Sequence, residues 1–465
     1  MSPSVPPTTK NPKGIVVFSG GSAANSLVDV FKTVAERKHC ALSYVIPISD
    51  NGGSTSELIR VLGGPGIGDL RSRLVRLIPE NGNAERAAIK TFFNHRLPKS
   101  VNEARHEWLD IVESRHDLWK GISTEKKELI RSFLNLFNLE VVKRIRPTST
   151  FDFSSASVGN LFLTGARIFS GSLESAIYLL SSICGVPENT AVLPAINTNF
   201  THHISAGLLD GTVITGQNSI SHPSVPTAVP DVLSPTRETE VHDDIEDANL
   251  PGSLPTLRKP NIMFSKGAEE DLPARIDRIW YINPYGQEIR PPANPKVLDA
   301  IASSQAVVYS IGSLYTSIIP NLILRGIGQA ISNPVVKHKI LILNSTPDRE
   351  TGPSSSPFTA LDFVAAVAKA GASSSQGEGF VDVPPFQYKS YVTHVLHLDG
   401  PGTPKVDRAE LTELGIETVR LYGRRTDGEG FLRYDENALT QALEVVIGGG
   451  KDLRPDRSRR NTLDN

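Results

Sequence analysis

The sequence predicts an α/β protein with a Rossmann-like, doubly wound, mostly parallel sheet that carries helical and loop insertions. Short apolar runs typical of buried strands alternate with segments of helical spacing, near the N-terminus and again after residue 275. Such alternation gives right-handed crossovers and a parallel sheet covered on both faces. The first two strand-like runs also end in glycine-rich turns, which suggests a phosphate-bearing ligand at the carboxyl ends of the strands.

The composition excludes several classes of protein. The chain has 465 residues, a net charge of −2 and 39% hydrophobic residues, as in a globular protein of one large or two ordinary domains. This charge gives no reason to expect nucleic acid or a membrane surface as a partner. No apolar run reaches the ~18 residues of a membrane span, and residues 1–13 contain no secretory h-region. We therefore expect a cytoplasmic protein, with Cys40 and Cys184 as buried, reduced thiols.

The first third of the chain contains two strand–helix units. Gly14–Phe18 is the first strand, and the apolar residues that follow it recur at helical spacing. A second strand is predicted over 41–48, and a glycine loop at 63–70 leads into a helix over 71–78. Residues 97–150 are charged and helical, and they predict an inserted hairpin of helices, over 101–119 and 124–145, whose charges face solvent.

The middle of the chain contains patterns typical of a helix, a strand, a β-hairpin and a flexible insertion. A helix is predicted from Leu161, a strand over 191–196, and a β-hairpin over 208–213, where Asp210-Gly211 suits a type I′ turn. Residues 221–260 are rich in Pro, Ser and Thr and predict a flexible surface insertion. The insertion lacks a rigid frame, so we do not expect a metal site at its acidic cluster, which comprises Asp243, Asp244, Glu246 and Asp247.

The alternation of strands and helices resumes in the last part of the chain. Strands are predicted over 275–282, 306–311, 339–343, 391–398 and 418–421, and helices over 295–303, 361–370 and 436–447. We expect one α/β domain over 14–450, flanked by a disordered tail at 1–13 and a polar tail at 451–465.

The first glycine-rich turn, at residues 19–25, supplies small residues and backbone amides. It is neither a Walker A loop, which requires Lys followed by Ser or Thr, nor a GxGxxG fingerprint. A tight strand–helix turn also uses glycine for purely structural reasons. The phosphate-binding candidates in this turn are Gly20, Gly21 and Ser22.

The second turn, at residues 49–54, places Asp50 directly after a buried strand, where an unused carboxylate is costly. Asp50 is a candidate to hold Mg²⁺ beside a diphosphate, to contact a ribose hydroxyl or to act as a base. The alternative is an N-cap of the helix that starts near Ser54. The candidate ligand-binding residues beside Asp50 are Asn51, Gly52, Gly53 and Ser54.

Two further segments complete the predicted site. Arg71 opens a helix, where its charge opposes the helix dipole; this argues for an anionic partner, although an ion pair with Asp69 or Asp50 is the alternative. The turn at 312–317 offers hydroxyls and N–H groups for a phosphate or sugar. Tyr315 either stacks on a base or fills the core. The candidates in this region are Gly312, Ser313, Tyr315, Thr316, Ser317 and Asn321. Asp69, at the end of the glycine loop before Arg71, is a further candidate ligand-binding residue. The adjacent His202 and His203 face opposite ways, so we expect no shared metal site there.

Together these turns resemble the CofD-like family, which includes 2-phospho-L-lactate transferases and bacterial gluconeogenesis factors. Each motif alone is weak, but the ordered set is specific and spans roughly 14–370. The match looks closer to the gluconeogenesis-factor branch. The motifs occur at 19–22, 49–54, 68–71, 92–96, 157–161, 193–195, 210–213, 312–317 and 320–321.

The resemblance implies a nucleotide diphosphate across the strand ends, with Asp50 and Arg71 as catalytic residues, Mg²⁺ as the metal at Asp50 and Asn160 among the nucleotide contacts. The family often forms dimers, which makes a homodimer an expectation. This chain departs from the family pattern in its first turn and in the usual Asp-Asp pair, which here is Asp50-Asn51.

Three functions are compatible with these residues. The first is a transferase that moves a phosphate-linked group from a nucleotide-diphosphate donor to a hydroxyl acceptor. The second is a non-catalytic regulator that binds a nucleotide sugar, which the loss of the second acid favours. The third, an NAD(P) dehydrogenase, lacks its usual fingerprint.

Overall fold

The structure is a computed structural model, and it describes residues 14–79, 82–145, 150–222, 254, 257, 271–375, 382–425 and 432–448. The predicted tails, the acidic cluster and most of the predicted insertion at 221–260 lie outside these residues. The strands are β1 (Gly14–Phe18), β2 (Leu42–Ile46), β3 (Thr190–Pro194), β4 (His203–Leu208), β5 (Val213–Thr215), β6 (Ile276–Ile282), β7 (Glu288–Ile289), β8 (Ser304–Tyr309), β9 (His338–Ile342), β10 (His394–Leu398), β11 (Glu417–Leu421), β12 (Gly423–Arg425) and β13 (Leu432–Tyr434).

The helices of the described ranges cover both faces of the sheet or extend beyond it. They are α1 (Val28–Arg37), α2 (Ser54–Leu62), α3 (Gly68–Arg76), α4 (Ala84–Asn94), α5 (Val101–Val112), α6 (Thr124–Arg144), α7 (Val158–Ser170), α8 (Leu173–Cys184), α9 (Gln217–Ser221), α10 (Pro295–Ala302), α11 (Ile319–Leu322), α12 (Ile327–Ser332), α13 (Ala360–Ser375), α14 (Arg408–Glu413) and α15 (Glu436–Gly448).

The main sheet has seven strands in the order β11-β10-β9-β8-β1-β2-β3, and all neighbouring strands are parallel. The residues of β1 and β8 are buried apart from Gly14 and Gln305, as expected for a sheet covered on both faces. The predicted Rossmann-like α/β fold is therefore confirmed. From β1 the chain continues to β2 on one side, and from β8 it continues to β9 on the other. The turns after these two neighbouring strands leave in opposite directions and open a crevice between them.

A second sheet of four antiparallel strands, in the order β5-β4-β6-β7, differs from the prediction. The alternation after residue 275 suggested that β6 joins the parallel sheet, but it pairs with β4 instead. The predicted hairpin between β4 and β5 is present, but its turn is not type I′. Gly211 has a φ of +86°, whereas Asp210 has no positive φ, and the Gly211 N–H donates to the Leu208 carbonyl. This is the three-residue turn in which glycine takes the left-handed position.

The predicted helix over 101–119 is shorter than expected. Helix α5 ends at Val112, and Ser114 has a φ of +65°, which interrupts the helix before a short turn at Asp117–Trp119. The helix at 71–78 instead begins at Gly68, so Asp69 and Arg71 both lie in its first two turns. Cys40 and Cys184 are buried thiols that form no disulfide, as predicted.

Helix α6 packs against α7 without room for a side chain at Gly165. A Cβ there would overlap the carbonyl oxygen of Phe133 in α6, and a backbone atom cannot move aside as a flexible side chain can. We therefore expect Gly165→Ala to lower the free energy of unfolding by about 1–3 kcal/mol, measured by chemical denaturation.

Gly448→Ala is the matched control, because its Cβ would meet only the flexible end of Lys38, at 2.8 Å from Nζ. A stability of the Gly165→Ala variant equal to that of the control would show that the α6–α7 contact is not close-packed.

Candidate functional site

The turns after β1 and β8 meet at the crevice in a contact that excludes side chains. A Cβ on Gly20 would lie 2.5 Å from the Ser317 hydroxyl oxygen, and one on Gly21 would overlap the carboxylate of Asp69. Glycine at these two positions is therefore required by close approach. The Gly21 N–H donates a hydrogen bond to Asp69. Ser22, by contrast, is exposed at the rim of the turn.

Asp50 and Asp69 form a pair of carboxylates beneath this contact. Asp50 lies after β2 and accepts a hydrogen bond from the Gly52 N–H at 3.0 Å, while Asp69 projects from the first turn of α3. A Cβ on Gly68 would lie 2.8 Å from Asp50 Oδ2, which shows how closely α3 approaches the second turn. The Asp50-Asn51 sequence lacks a second acid, but the fold supplies one from a separate segment.

The pKa of Asp50 is raised by its surroundings. Burial, followed by the negative charge of Asp69, raises the pKa of Asp50 to about 7, although the Gly52 hydrogen bond opposes the shift. Burial also raises the pKa of Asp69, whereas the Gly21 N–H and the charges of Arg73 and Arg71 lower it. A cation between two such carboxylates would relieve both their repulsion and their desolvation.

Arg71 is buried and held by amides. Its Nε donates to Asn160 Oδ1 at 3.1 Å and one of its terminal nitrogens donates to Asn94 Oδ1 at 3.2 Å. Asn160 in turn donates to the Ser54 hydroxyl at 3.2 Å, so three predicted residues lie in one network. Neither predicted ion pair, with Asp69 or with Asp50, occurs among the salt bridges of the described residues. Burial and the nearby charge of Arg96 lower the pKa of Arg71 to about 10, which leaves it a cation at neutral pH.

The second turn contains no side-chain cap of α2. Gly53 occupies the N-cap position with a φ of +55°, and no side chain accepts a hydrogen bond from the first turn of the helix. The alternative in which Asp50, Asn51 or Ser54 caps this helix is therefore wrong. Asn51 instead accepts a hydrogen bond from the Asn218 N–H at 3.0 Å, which attaches α9 to this turn.

Sequence reasoning missed Arg73, which lies under the first turn. Its side chain is fully buried, donates to the Ser19 hydroxyl at 3.2 Å and the Gly20 carbonyl at 3.0 Å, and stacks on the Tyr44 ring with its guanidinium carbon 4.5 Å from the ring centroid. Burial lowers the pKa of Arg73. The available signal was an arginine on the apolar face of α3, beside Leu70 and Leu74.

In the turn after β8, most of the donors that were predicted to bind phosphate already make hydrogen bonds to other groups of the protein. The Gly312 N–H donates to Asn344 Oδ1 at 2.9 Å, the Ser313 hydroxyl bonds Asp348, and the Tyr315 and Thr316 N–H groups donate to Glu350 at 2.8 and 3.0 Å. The Tyr315 ring fills the core, where its hydroxyl donates to the Ile276 carbonyl at 3.2 Å. The Asn321 amide donates to the carbonyls of Ser317 and Ile318. Only the Ser317 hydroxyl is placed against the first turn.

The adjacent His202 and His203 lie in different surroundings. His203 is buried, and desolvation lowers its pKa to about 4, so it is neutral at physiological pH. The His202 ring instead packs against the edge of the Tyr281 ring. Within the described ranges, no group of three or more His, Cys, Asp or Glu side chains is placed to hold a metal ion.

Comparison with known protein families assigns this chain to a family. The model of the family described as 2-phospho-L-lactate transferase CofD matches residues 15–421. The chain therefore belongs to the CofD family, as its motifs predicted. None of the helices in the described part of the chain has the length and apolar character required to cross a bilayer.

Three individual proteins are similar to this chain over most of its length. An uncharacterized protein of Saccharomyces cerevisiae is 41% identical over 406 residues, which is 83% of this chain and 90% of the relative. A gluconeogenesis factor of Halalkalibacterium halodurans is 23% identical over 356 residues, or 76% of this chain and 73% of the relative. The crystal structure of a UPF0052 family member from Bacillus halodurans superposes with a TM-score of 0.57 at 21% identity, covering 93% of this chain and 99% of that one. This last likeness supports the fold.

The carboxylate pair makes a prediction about pH. Because burial and Asp69 raise the pKa of Asp50 from 3.8 to about 7, its proton stabilises the folded state fully below pH 4, and this stabilisation is lost as the pH rises through 7. Asp50→Asn removes the ionisation, so we expect the variant to be more stable than the wild type at pH 8 without divalent metal. The expected gain is about 1–2 kcal/mol, after allowance for partial solvent exposure.

Denaturation at pH 4 and pH 8 measures this effect. Asp277→Asn, at an exposed position of β6, is the control and is expected to change little. An Asp50→Asn variant that is less stable than the wild type at pH 8 would show that the Asp50 carboxylate is favourably paired rather than repelled.

Proposed function

We propose that this protein binds the diphosphate of a nucleotide in the crevice between β1 and β8 and transfers a phosphate-linked group to a hydroxyl acceptor. The observation that supports this most is the Asp50–Asp69 pair beside the Gly20–Gly21 turn. The family whose model matches this chain is described as a transferase. The buried arginines Arg71 and Arg73 supply positive charge near the same edge of the sheet.

The residues fit Mg²⁺. This ion is commonly held by one or two carboxylates, with phosphate oxygens and water completing its shell. Asp50 and Asp69 would therefore hold it without a third protein carboxylate, and it would neutralise developing charge on the diphosphate.

The chemistry assigns roles to the chain's own residues. In the proposed transfer, the acceptor oxygen forms a new bond to phosphorus, and the bond from phosphorus to the nucleoside monophosphate breaks. The acceptor's proton would pass to an oxygen of this carboxylate pair that does not hold the metal. The network of Ser54, Asn160 and Arg71 lies beside this pair and orients cationic charge towards the phosphates.

A non-catalytic role is the second candidate, and the names of the relatives favour it. The relatives called gluconeogenesis factors align over much of the chain. In this case the crevice would bind a nucleotide sugar without transfer, and neither carboxylate would need to accept a proton.

Calorimetry with GDP, UDP and UDP-sugars, with and without Mg²⁺, tests the proposal. We expect nucleoside diphosphate binding that strengthens with Mg²⁺ and falls about tenfold or more in Asp69→Asn, because one cation ligand is lost. Asp277→Asn, the same chemical change at an exposed position of β6, is the matched control. Equal affinity of Asp69→Asn and the wild type in Mg²⁺ would refute the metal site.

A second measurement separates the two candidates. Release of nucleoside monophosphate in the presence of a hydroxyl acceptor is expected from the wild type and is expected to be lost in Asp50→Asn, which retains the fold. Binding of a nucleotide sugar without Mg²⁺ and without any release would favour the regulator.

A further inference from the structure

One buried carboxylate next to the crevice has no role in the proposed chemistry. Glu350 is 1% exposed and lies in the short turn Arg349–Thr351. Its Oε2 accepts the N–H groups of Tyr315 and Thr316, at 2.8 and 3.0 Å. Its Oε1 accepts the Thr316 hydroxyl at 2.6 Å and the Ser221 hydroxyl at 2.7 Å. Four donors from two separate segments therefore converge on a single carboxylate.

This arrangement is the one that a bound anion would adopt. Adjacent backbone N–H groups and hydroxyls form an anion-binding concavity in many proteins, without help from a cationic side chain. The segment Leu314–Ile318, which follows β8, presents such a concavity, and its own N-cap residue, Ser313, makes no capping hydrogen bond. In this chain the concavity is filled from within, by a carboxylate that the fold itself supplies.

The turn that carries Glu350 is rigid. Asp348 accepts hydrogen bonds from the N–H groups of Glu350 and Thr351, at 3.1 Å each, and the Thr351 hydroxyl donates to Asp348 at 2.9 Å. These bonds fix the backbone from which the Glu350 side chain projects towards its four donors.

Glu350 also joins elements that flank the crevice. Ser221 ends α9, and Asn218 in the same helix donates to Asn51 on the turn that carries Asp50. On its other side, Glu350 holds the segment whose Ser317 hydroxyl lies against Gly20. Loss of Glu350 would release both attachments together.

We propose that Glu350 is an internal anion that closes the turn after β8 to phosphate and, by fixing that turn and α9, positions the walls of the nucleotide crevice. The second half of this statement rests on the proposed function. Glu350 is thus a positioning residue, and the diphosphate is confined to the side of the crevice formed by the turns after β1 and β2.

Chemical rescue tests the internal anion. Glu350→Ala removes a group of the size and charge of acetate. It leaves the Tyr315 and Thr316 N–H groups and the Thr316 hydroxyl without this acceptor, whereas the Ser221 hydroxyl can still donate to the Thr316 hydroxyl at 3.0 Å. We expect the variant to melt several degrees below the wild type. Acetate should raise its melting temperature, chloride at equal ionic strength should not, and the wild type should not respond to acetate. No rescue by acetate would overturn the internal anion.

Glu350→Gln provides the test if the alanine variant does not fold. The amide keeps the size of the side chain but places an NH2 group among four donors, so it cannot accept all of them. We expect the affinity for the nucleoside diphosphate to fall about tenfold while the circular dichroism spectrum is retained, and Glu350→Asp to recover part of the loss. Glu128→Ala, at an exposed position of α6, is the control. Wild-type affinity in Glu350→Gln would overturn the positioning role.

The two proposals fail separately. Acetate rescue requires no nucleotide, so rescue combined with the absence of nucleotide binding in the wild type would leave the internal anion in place and refute the proposed function. Nucleotide binding in the wild type without acetate rescue would refute the internal anion alone.

Discussion

The close approach of two turns at the centre of the sheet is the constraint on which the rest of the crevice depends. Gly20 and Gly21 lie so near to Ser317 and Asp69 that no side chain fits between them. This contact joins segments that are remote in sequence. Strands β1 and β8 are neighbours in the sheet, yet Gly14 of β1 pairs with Ser304 of β8. The carboxylates, the arginines and α9 are all positioned relative to this contact.

Buried charge around the contact is arranged in two different ways. Asp50 and Asp69 face each other with cationic help only at Asp69, from Arg71 and Arg73, so this pair is poised to receive a cation. Glu350 is more deeply buried than either of them, yet neutral donors satisfy it on both oxygens. Burial and the nearby Asp348 raise the pKa of Glu350, and the hydrogen bonds from Thr316, Ser221 and Tyr315 oppose this shift. The crevice therefore has a pair of repelling carboxylates on one side and a fully hydrogen-bonded carboxylate on the other.

Local patterns in the sequence predicted the elements well and their partners less well. The apolar runs at β1, β2 and β9 and the glycine turns gave the parallel sheet, because burial on both faces leaves a clear signature in a short stretch. The position of β6 in a second sheet could not be predicted, since pairing between distant strands is not encoded in either strand alone. The early end of α5 depends on the backbone of Ser114, a residue with no strong local preference for that conformation.

The residues of the candidate site also fall into two groups, those that the sequence predicted and those that only the folded structure shows. Asp50 and the glycine turns follow strands directly, so topology alone brings them to one edge. Arg73 and Glu350 lie within a helix and a loop, and only the packed structure shows that they point to that edge. The pairing of Asp50 with Asp69, rather than with a neighbour in sequence, is likewise a property of the fold.

The order of strands in the sheet has a consequence for how the chain assembles. Strand β1 is made first but lies in the middle of the sheet, and one of its two neighbours, β8, is almost three hundred residues away (Gly14 pairs with Ser304). Until that strand is synthesised, one edge of an apolar strand stays open, and such edges invite pairing with other chains. Contacts this distant in sequence also slow folding. The nascent chain therefore passes through a long interval in which β1 needs protection, and a fragment that ends before residue 304 would carry an exposed edge instead of a smaller stable domain.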